Sequence, residues 1–455
     1  MSDVAKPAAP STEALAAALD RVMPGVRADL ERLVRIPSVS AAAFDQTQVS
    51  ASAELVAVLL REAGLAVRVV AEGGRPAVIG QRPGPPGAPT VLLYAHHDVQ
   101  PPGPERDWVS PAYQPSERDG RLYGRGVADD KAGVMAHVAA LRAWAESGVE
   151  LPVGVAVFVE GEEEIGSPTL SALLAAHRQA LSADVLVLAD SGNWQVGVPA
   201  LTTSLRGLVE AYVEVRTLDH AVHSGMFGGA VPDALTVLLR LLASLHDADG
   251  NVAVAGLHTG PAADLDYDEA RLRAESGLLD GVATIGTGAV LERMWTRPAV
   301  TVVGIDVPTC AQASNTLLPA TRAKVSLRVA PGQRAEDAYE ALRGHLLARV
   351  PWGARVEIIP GEVGQPFLAS VQGPAVQAAR DAFAEAFGHP VVDMGAGGSI
   401  PFVAEFVDAF PQAAVLVTGV EDPDSRAHGA NESLHLRDFA RVCLAETLLL
   451  RNLAG

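Results

Sequence analysis

The sequence predicts an α/β domain that is split by an inserted α+β domain. In residues 1–206, apolar strand patterns alternate with helical patterns, as in a sheet that is covered by helices. From 207 to 362, apolar and polar residues alternate with period two, which is typical of an antiparallel sheet with one exposed face. The first pattern returns over 363–455. We therefore predict a discontinuous first domain, 1–206 with 363–455, and an insertion at 207–362.

Each predicted element follows from apolar periodicity and from residues that begin or end helices. The helix at 49–63, for example, ends at Gly64, a frequent helix-terminating residue. The predicted helices span about 13–33, 49–63, 131–147, 167–181, 232–246, 335–350, 374–387 and 436–453. The predicted strands span 66–71, 90–95, 152–161, 184–190, 207–217, 323–331, 354–360 and 413–418, with a Pro/Gly-rich loop at 81–89.

Composition excludes several classes of protein. A chain of 455 residues needs more than one hydrophobic core. Its net charge of -19 argues against nucleic-acid binding. The sequence contains no uninterrupted apolar run of about 18 residues, so no membrane span is predicted. Because Cys310 and Cys443 are the only cysteines, a disulfide framework is excluded and a cysteine zinc site nearly so. Any metal must therefore be bound by His, Asp and Glu. Residues 1–6 lack the apolar segment of a secretory signal, and we predict a cytoplasmic protein.

Acids and histidines recur where predicted strands of the first domain end. They lie in five segments: His96-His97-Asp98, Asp129-Asp130, Glu160 with Glu162-Glu163-Glu164, Asp190, and His428. A single strand-end acid is more often a helix cap or a solvated turn residue than a metal ligand. A lone histidine is likewise more often a hydrogen-bonded surface or core residue than a ligand. However, four carboxylates within five residues repel one another, and a bound cation relieves that repulsion. Since ligands gather at the carboxyl ends of strands, we favour one metal centre over five unrelated features.

The residue types suit a pair of zinc ions. Zinc binds imidazole nitrogen and carboxylate oxygen, and two ions about 3.5 Å apart can share a bridging carboxylate and a bridging hydroxide. One bridging acid and about two further ligands per ion are available: His96, Asp129, Glu164, Asp190 and His428. Another carboxylate must act as the base that deprotonates the water. Spacing alone does not decide which of Glu162, Glu163 and Glu164 is base or ligand. The same set also suits Mn²⁺ or Co²⁺.

Together, these segments resemble a metallopeptidase family that includes acetylornithine deacetylase, succinyl-diaminopimelate desuccinylase, bacterial glutamate carboxypeptidase and carnosinase-type dipeptidases. The family patterns H-x-D-V-x-P, G-R-G-x-x-D-[DM]-K-G and E-E-x-G-S match residues 96–101, 124–133 and 163–167, with Ala132 where glycine is usual. The match covers nearly the whole chain. "HHDVQP", "EGEEEIGSP", "HSGMFGGAVPDA" and "GGSIP" are most similar to the carnosinase-type branch. The resemblance implies a zinc-exopeptidase-type mixed sheet with helices on both faces, split by a lid and dimerisation domain.

The resemblance also implies a role for each residue of the metal centre. His96 and Asp190 would bind one zinc, Glu164 and His428 the other, and Asp129 both. Asp98 would orient the His96 imidazole, and Glu163 would be the general base. His97 would be a bystander, and the Asp129–Asp130 peptide would be cis.

Substrate binding is assigned to the insertion and to a glycine-rich segment. The resemblance implies that Arg328 grips a substrate carboxylate, and that His223 polarises the scissile carbonyl in the partner subunit of a homodimer. The segment 393–401 lacks both the G-x-G-x-x-G pattern and a Walker lysine, which argues against nucleotide binding. We interpret it as a loop whose Gly397, Gly398 and Ser399 amides receive that carboxylate.

The leading hypothesis is a di-zinc hydrolase, with two Zn²⁺ per subunit, that cleaves dipeptides or small peptides with a free C-terminal carboxylate. Hydroxide bridging the metals would attack the amide, activated by a glutamate base. The alternative within the same fold is a deacylase or amidohydrolase acting on N-acyl or N-carbamoyl amino acids. A non-catalytic binding module is disfavoured, because every expected ligand and the base are present.

Overall fold

A computed structural model describes residues 10–261, 263–398 and 401–454. Within it, the chain divides into two compact units. The first unit comprises Met1–Thr203, Ala369–Met394 and Glu405–Gly455, and the second comprises Ser204–Leu368 and Gly395–Ala404. Among the described residues, no helix has the length and apolar character that crossing a membrane requires.

The helices and strands are numbered in chain order. The helices are α1 Thr12–Val34, α2 Thr47–Glu62, α3 Lys131–Ser147, α4 Leu170–Ala176, α5 Arg178–Leu181, α6 Ser224–Phe227, α7 Ala234–Ala243, α8 Glu269–Ser276, α9 Ala335–Leu347, α10 Pro374–Phe387, α11 Pro401–Ala409 and α12 Leu436–Asn452. The strands are β1 Ala66–Val70, β2 Ala77–Arg82, β3 Thr90–His96, β4 Ser116–Arg118, β5 Arg121–Tyr123, β6 Gly154–Glu160, β7 Val185–Leu188, β8 Ala200–Leu205, β9 Gly207–Arg216, β10 Val222–His223, β11 Ala299–Asp306, β12 Thr316–Leu317, β13 Ala320–Val329, β14 Arg355–Gly364, β15 Phe367–Leu368, β16 Val392–Ala396, β17 Ala414–Val417 and β18 Ser433–His435.

A six-stranded mixed sheet forms the centre of the first unit, in the order β1-β2-β6-β3-β7-β17. Its last four strands are parallel, whereas β1 and β2 pair antiparallel. β6 is buried throughout, as its continuous apolar run predicts for a strand covered on both faces. Leu93 of β3 belongs to a core that includes residues of α1, α3 and α12, while its neighbour Tyr94 packs against Phe406 of α11. Helices therefore cover both faces, which confirms the predicted mixed-sheet fold.

The second unit is built on an antiparallel sheet of order β11-β13-β9-β14. β9 alternates buried and half-buried residues along most of its length, in agreement with its period-two sequence pattern. Helices α7 and α9 supply the apolar residues that pack on the buried face. The edge strand β11 exposes apolar side chains, including Val303 and Ile305.

Some elements were not predicted or differ from their prediction. Strand β2 was missed because it contains Gly80, a residue that weakens the strand signal. A Cβ at position 80 would lie 2.9 Å from the Leu65 side chain, so close packing explains this glycine. The helix predicted at 167–181 is instead two helices, because His177 adopts the non-helical angles φ -113° and ψ 18°.

Candidate metal centre

Three neighbouring parallel strands end at one edge of the central sheet and carry the site. β3 ends at His96, which pairs with Glu160 at the end of β6, and Asp190 follows β7 by two residues. Asp129 lies two residues before α3. Because the carboxyl ends of these strands meet at one edge, residues far apart in sequence are brought together.

Asp129 joins two groups of potential metal ligands. One Asp129 oxygen lies 3.1 Å from Nε2 of His96, and Nε2 lies 3.6 Å from an Asp190 oxygen. The other Asp129 oxygen lies 3.0 Å from Nε2 of His428, which lies 3.2 Å from a Glu164 oxygen. Asp129 is therefore shared by two triads, His96–Asp129–Asp190 and Asp129–Glu164–His428. The peptide between Asp129 and Asp130 is cis, as predicted.

The donor atoms fit divalent metal ions. Ligand atoms around a tetrahedral zinc ion lie roughly 3.3 Å apart, because the bonds are about 2.0 Å long. The observed separations of 3.0–3.6 Å match that spacing. Each triad supplies one imidazole and two carboxylates, which is a donor set that zinc accepts.

Electrostatics at the site favour a cation. Burial opposes a charge on His96, yet hydrogen bonds to Asp129, Asp190 and Asp98 raise the pKa of its imidazole well above the usual range. Hydrogen bonds to Asp129 and Glu164 raise the pKa of His428 to about 11. Both imidazoles attract protons because carboxylates surround them, and the same carboxylates attract a metal ion.

Asp98 connects His96 with the glutamate loop. Its Oδ1 lies 3.4 Å from Nδ1 of His96, and its two oxygens accept the backbone N–H groups of Glu163 and Glu164 at 3.2 and 3.1 Å. Metal-binding histidines commonly have such a carboxylate on their other ring nitrogen. Asp98 can thus orient the imidazole and fix the position of both glutamates.

The three glutamates that spacing could not distinguish have separate surroundings. Glu164 contacts His428, whereas Glu163 lies 4.0 Å from Nε2 of His96 and outside both triads. Burial raises the pKa of Glu163 well above its usual range, and the Asp190 carboxylate adds to that increase. Glu162 accepts the backbone N–H of Arg75 at 2.8 Å. This geometry is consistent with Glu164 as the ligand and Glu163 as the base, and it makes Glu162 a loop anchor.

Gln100 holds the Glu164 carboxylate, which the sequence patterns did not indicate. Its backbone N–H donates to one Glu164 oxygen at 3.0 Å, and its side-chain amide donates to the other at 2.8 Å. Gln100 occupies the second of the two unspecified positions of the H-x-D-V-x-P pattern. Its position next to a ligand in space, which the pattern does not encode, explains why it was missed.

Glu432 is a second residue that sequence analysis missed. It is fully buried and accepts N–H groups from Arg125, Gly126, Ala128 and Asp129. Burial raises the pKa of Glu432, and Arg125 opposes that increase. Its position four residues after His428 was the only available signal.

His428 lies in a constrained loop although its side chain is 59% exposed. Its φ of 61° is in the left-handed region, where Asn and His are the more tolerant non-glycine residues. Asn431 lies three residues after His428 and anchors the loop. Its side-chain oxygen accepts the backbone N–H of Val109, and its side-chain NH₂ donates to the Asp107 carbonyl, both at 2.9 Å. His97 instead contacts the Pro76 carbonyl at 2.9 Å and lies outside both triads.

His223, Arg328 and Gly398, which are predicted to contact the substrate, lie in the second unit. His223 is exposed, and its Nδ1 accepts the backbone N–H of Gly225 at 3.0 Å. Arg328 is half-buried on β13. Burial, together with the nearby charge of Arg328, lowers the pKa of the Arg206 guanidinium to about 10. Gly398 is exposed, and Ser399 lies outside the described residues. The roles of these residues stay predictions.

Comparisons with known proteins show the family to which the chain belongs. Residues 92–452 match peptidase family M20/M25/M40. The chain is 38% identical over 379 residues to cysteinylglycine-S-conjugate dipeptidase of Corynebacterium striatum, covering 82% of this chain and 83% of that relative. It is 30% identical over 382 residues to β-Ala-His dipeptidase of Rattus norvegicus, covering 79% and 76% respectively.

Solved structures share the fold over nearly the full length. Human carnosine dipeptidase 1 has a TM-score of 0.79 at 24% identity and covers 98% of this chain and 100% of its own. The dipeptidase Dug1p of Saccharomyces cerevisiae has a TM-score of 0.80 at 24% identity and covers 98% of both chains.

These matches identify the class of enzyme as a metallopeptidase. The chain belongs to peptidase family M20/M25/M40, which confirms the resemblance seen in its motifs. Membership implies the use of divalent metal, and the two triads are the candidate ligands.

Proposed function

We propose that this protein is a di-zinc dipeptidase that hydrolyses the amide bond of dipeptides or small peptides with a free C-terminal carboxylate. The observation that carries the proposal is the position of Asp129 between His96 and His428, with one carboxylate oxygen facing each imidazole. A carboxylate shared in this way is what a dinuclear hydrolytic centre requires.

The residues of the two triads would have distinct tasks. His96 and Asp190 would hold one ion, Glu164 and His428 the other, and Asp129 both. When bound, such ions lower the pKa of a water molecule and polarise a carbonyl group. Glu163 would accept the proton of that water at its carboxylate, and its buried position suits a group whose pKa must approach neutrality.

The carboxylate of the substrate would be bound by residues of the second unit. The Arg328 guanidinium can pair with it through two parallel hydrogen bonds, and the neighbouring Arg206 adds positive potential. The amides of Gly398 and Ser399 would donate further hydrogen bonds. This arrangement selects substrates with a free α-carboxylate.

The working enzyme would be a homodimer in which His223 donates a hydrogen bond to the scissile carbonyl of the partner subunit. The exposed position of His223 supports a role beyond its own chain. The edge strand β11 supports dimerisation, because it is unpaired on one side among the described residues and exposes Val302, Val303 and Ile305. An exposed apolar edge is a surface that another strand can cover.

Both cysteines are free, which suits the reducing cytoplasm.

The relatives named above suggest the substrates to test. Cysteinylglycine S-conjugates and β-Ala-His are dipeptides, which favours peptide hydrolysis over removal of an acyl or carbamoyl group. The purified chain would be measured for bound zinc, and then assayed with Cys-Gly, β-Ala-His, N-acetyl and N-carbamoyl amino acids. We expect two zinc ions per subunit and hydrolysis of the dipeptides. Faster turnover of the N-acyl or N-carbamoyl compounds would instead establish a deacylase or amidohydrolase.

A further inference from the structure

A buried ion pair lies directly behind the bridging ligand. Nη1 of Arg125 donates to Oε2 of Glu432 at 2.6 Å, and both side chains are almost fully buried. The pair belongs to neither triad. A buried ion pair often contributes little net stability, so its position calls for another explanation.

Glu432 accepts three backbone N–H groups from the segment that carries Asp129. Oε2 accepts from Gly126 at 3.0 Å, and Oε1 accepts from Ala128 and Asp129 at 2.9 and 3.1 Å. One carboxylate therefore fixes the backbone immediately before the Asp129 side chain. Because charged acceptors form strong hydrogen bonds, this segment has little freedom to shift.

Arg125 extends the connection to the segments of His428 and His96. Its Nη2 donates to the Gly429 carbonyl at 3.0 Å, one residue after His428. A longer contact of 3.4 Å reaches the Pro101 carbonyl, at the end of the segment that begins with His96. The pair thus links three loops that contribute metal ligands.

We propose that Glu432 and Arg125 are positioning residues that set the distance between the two halves of the metal centre. The inference rests on the proposed dinuclear centre. Since Asp129 is shared, a displacement of its backbone would weaken the binding of both ions together. A substitution of Glu164 or Asp190 would instead weaken the binding of one ion more than that of the other, because each residue belongs to one triad.

The test is the variant Glu432→Gln, compared with the unmodified full-length chain. The amide keeps the size of the side chain but offers one acceptor oxygen where the carboxylate offers two. Zinc alone would be titrated into the metal-free proteins in competition with a chelator. We expect both zinc affinities to fall about 10- to 100-fold, as is typical when the partner of a metal ligand is lost.

A matched control distinguishes positioning from loss of stability. Glu446 forms another buried pair with His137, at 2.8 Å, in the first unit. We expect Glu446→Gln to lower the melting temperature and leave both zinc affinities unchanged. If Glu432→Gln also loses only stability, the proposal is wrong.

A double variant separates positioning from charge. In Glu432→Gln the Arg125 cation is left unpaired near the metal centre, and Arg125→Met together with Glu432→Gln removes that charge. We expect the double variant to remain at least about tenfold weaker in zinc affinity, because the loops are still released. Recovery of the original affinity would show that Glu432 balances charge and would overturn the positioning role.

Hydrogen exchange of the metal-free chain tests the contacts independently of zinc. A peptide covering 124–131 should exchange at least about tenfold faster in Glu432→Gln, because three amide hydrogens lose an ionised acceptor. Unchanged exchange would contradict the proposal. If the unmodified chain binds fewer than two zinc ions, the proposed function fails, whereas the exchange result still decides whether Glu432 holds the loop.

Discussion

Two candidate metal ligands of the first unit, Asp129 and Glu164, and two residues of the second unit that are predicted to contact the substrate, His223 and Gly398, differ in how firmly their surroundings hold them. Asp129 is 8% exposed, and its backbone N–H is bound by Glu432. Glu164 is held by Gln100 and Asp98. In contrast, His223 is exposed and accepts one local hydrogen bond, and a Cβ at Gly398 would meet no atom within 4 Å.

The comparison indicates two ways in which a residue of the site can be held in position. Ligands that must surround an ion at fixed distances are positioned in advance by their own chain, since a small displacement weakens every bond. We expect the residues that are predicted to contact the substrate to be held firmly only when the substrate or a partner subunit is bound.

The largest effect is expected at Glu163. Glu163→Gln keeps the size of the side chain but cannot accept the proton of the attacking water, so turnover should fall by about 10²- to 10⁴-fold. Zinc content should be unchanged, because Glu163 lies outside both triads. Kinetics with a dipeptide and elemental analysis would measure both quantities.

Glu162→Gln is the matched control for that experiment. Its amide oxygen can still accept the N–H of Arg75, so we expect most of the activity to remain. Near-normal turnover in Glu163→Gln, or a severe loss in Glu162→Gln, would assign the base to a different glutamate.

His223 represents the exposed residues that are predicted to contact the substrate. Loss of one donor to a developing oxyanion typically costs about 10²- to 10³-fold in kcat, and we expect that loss for His223→Ala. Mixed dimers of His223→Ala and Glu163→Ala chains should regain one working site, which combines Glu163 of one chain with His223 of the other. Verified heterodimers without activity would show that His223 does not act across subunits.

The carboxylate of the substrate provides a further test. A hydrogen bond to a charged group is worth about 1.5–3 kcal/mol, so amidation of the C-terminus should lower kcat/KM roughly 10- to 100-fold or more. In Arg328→Met the preference for the acid over the amide should become smaller, because the paired hydrogen bonds of the guanidinium are lost while the proposed Gly398 and Ser399 donors remain. Equal hydrolysis of both by the unmodified enzyme would remove Arg328 from the proposed role.

Sequence analysis could predict the residue types of the metal centre and most of the fold that supports it. His96, Glu160 and Asp190 follow apolar strand patterns, and the carboxyl ends of parallel strands must meet at one edge. Periodicity was sufficient for five of the six strands of the central sheet. Strand β2 was missed because Gly80 interrupts a short apolar run, and glycine in a strand reflects packing that the sequence does not show.

Gln100, Arg125 and Glu432 could not be recognised as a supporting layer from sequence. Glu432 lies 303 residues from Asp129 along the chain, and only the folded structure shows that its carboxylate accepts that N–H. Periodicity identifies which side chains are buried, but not which buried polar groups are hydrogen-bonded to each other. The hydrogen bonds between loop residues are therefore the part of the site that sequence describes least well.

The smallest effect is expected at Gln100, and it concerns one half of the metal centre. Gln100→Leu removes the side-chain donor to Glu164 but keeps the backbone N–H that holds the other Glu164 oxygen. We expect one of the two zinc affinities to fall by about tenfold, the lower end for loss of a ligand's partner, and the other to be unchanged. Gln81→Leu is the control, because Gln81 donates to Ala180 in the same unit, outside the site. An equal loss at both ions would mean that the two triads share more than Asp129, whereas no loss would show that the backbone N–H alone positions Glu164.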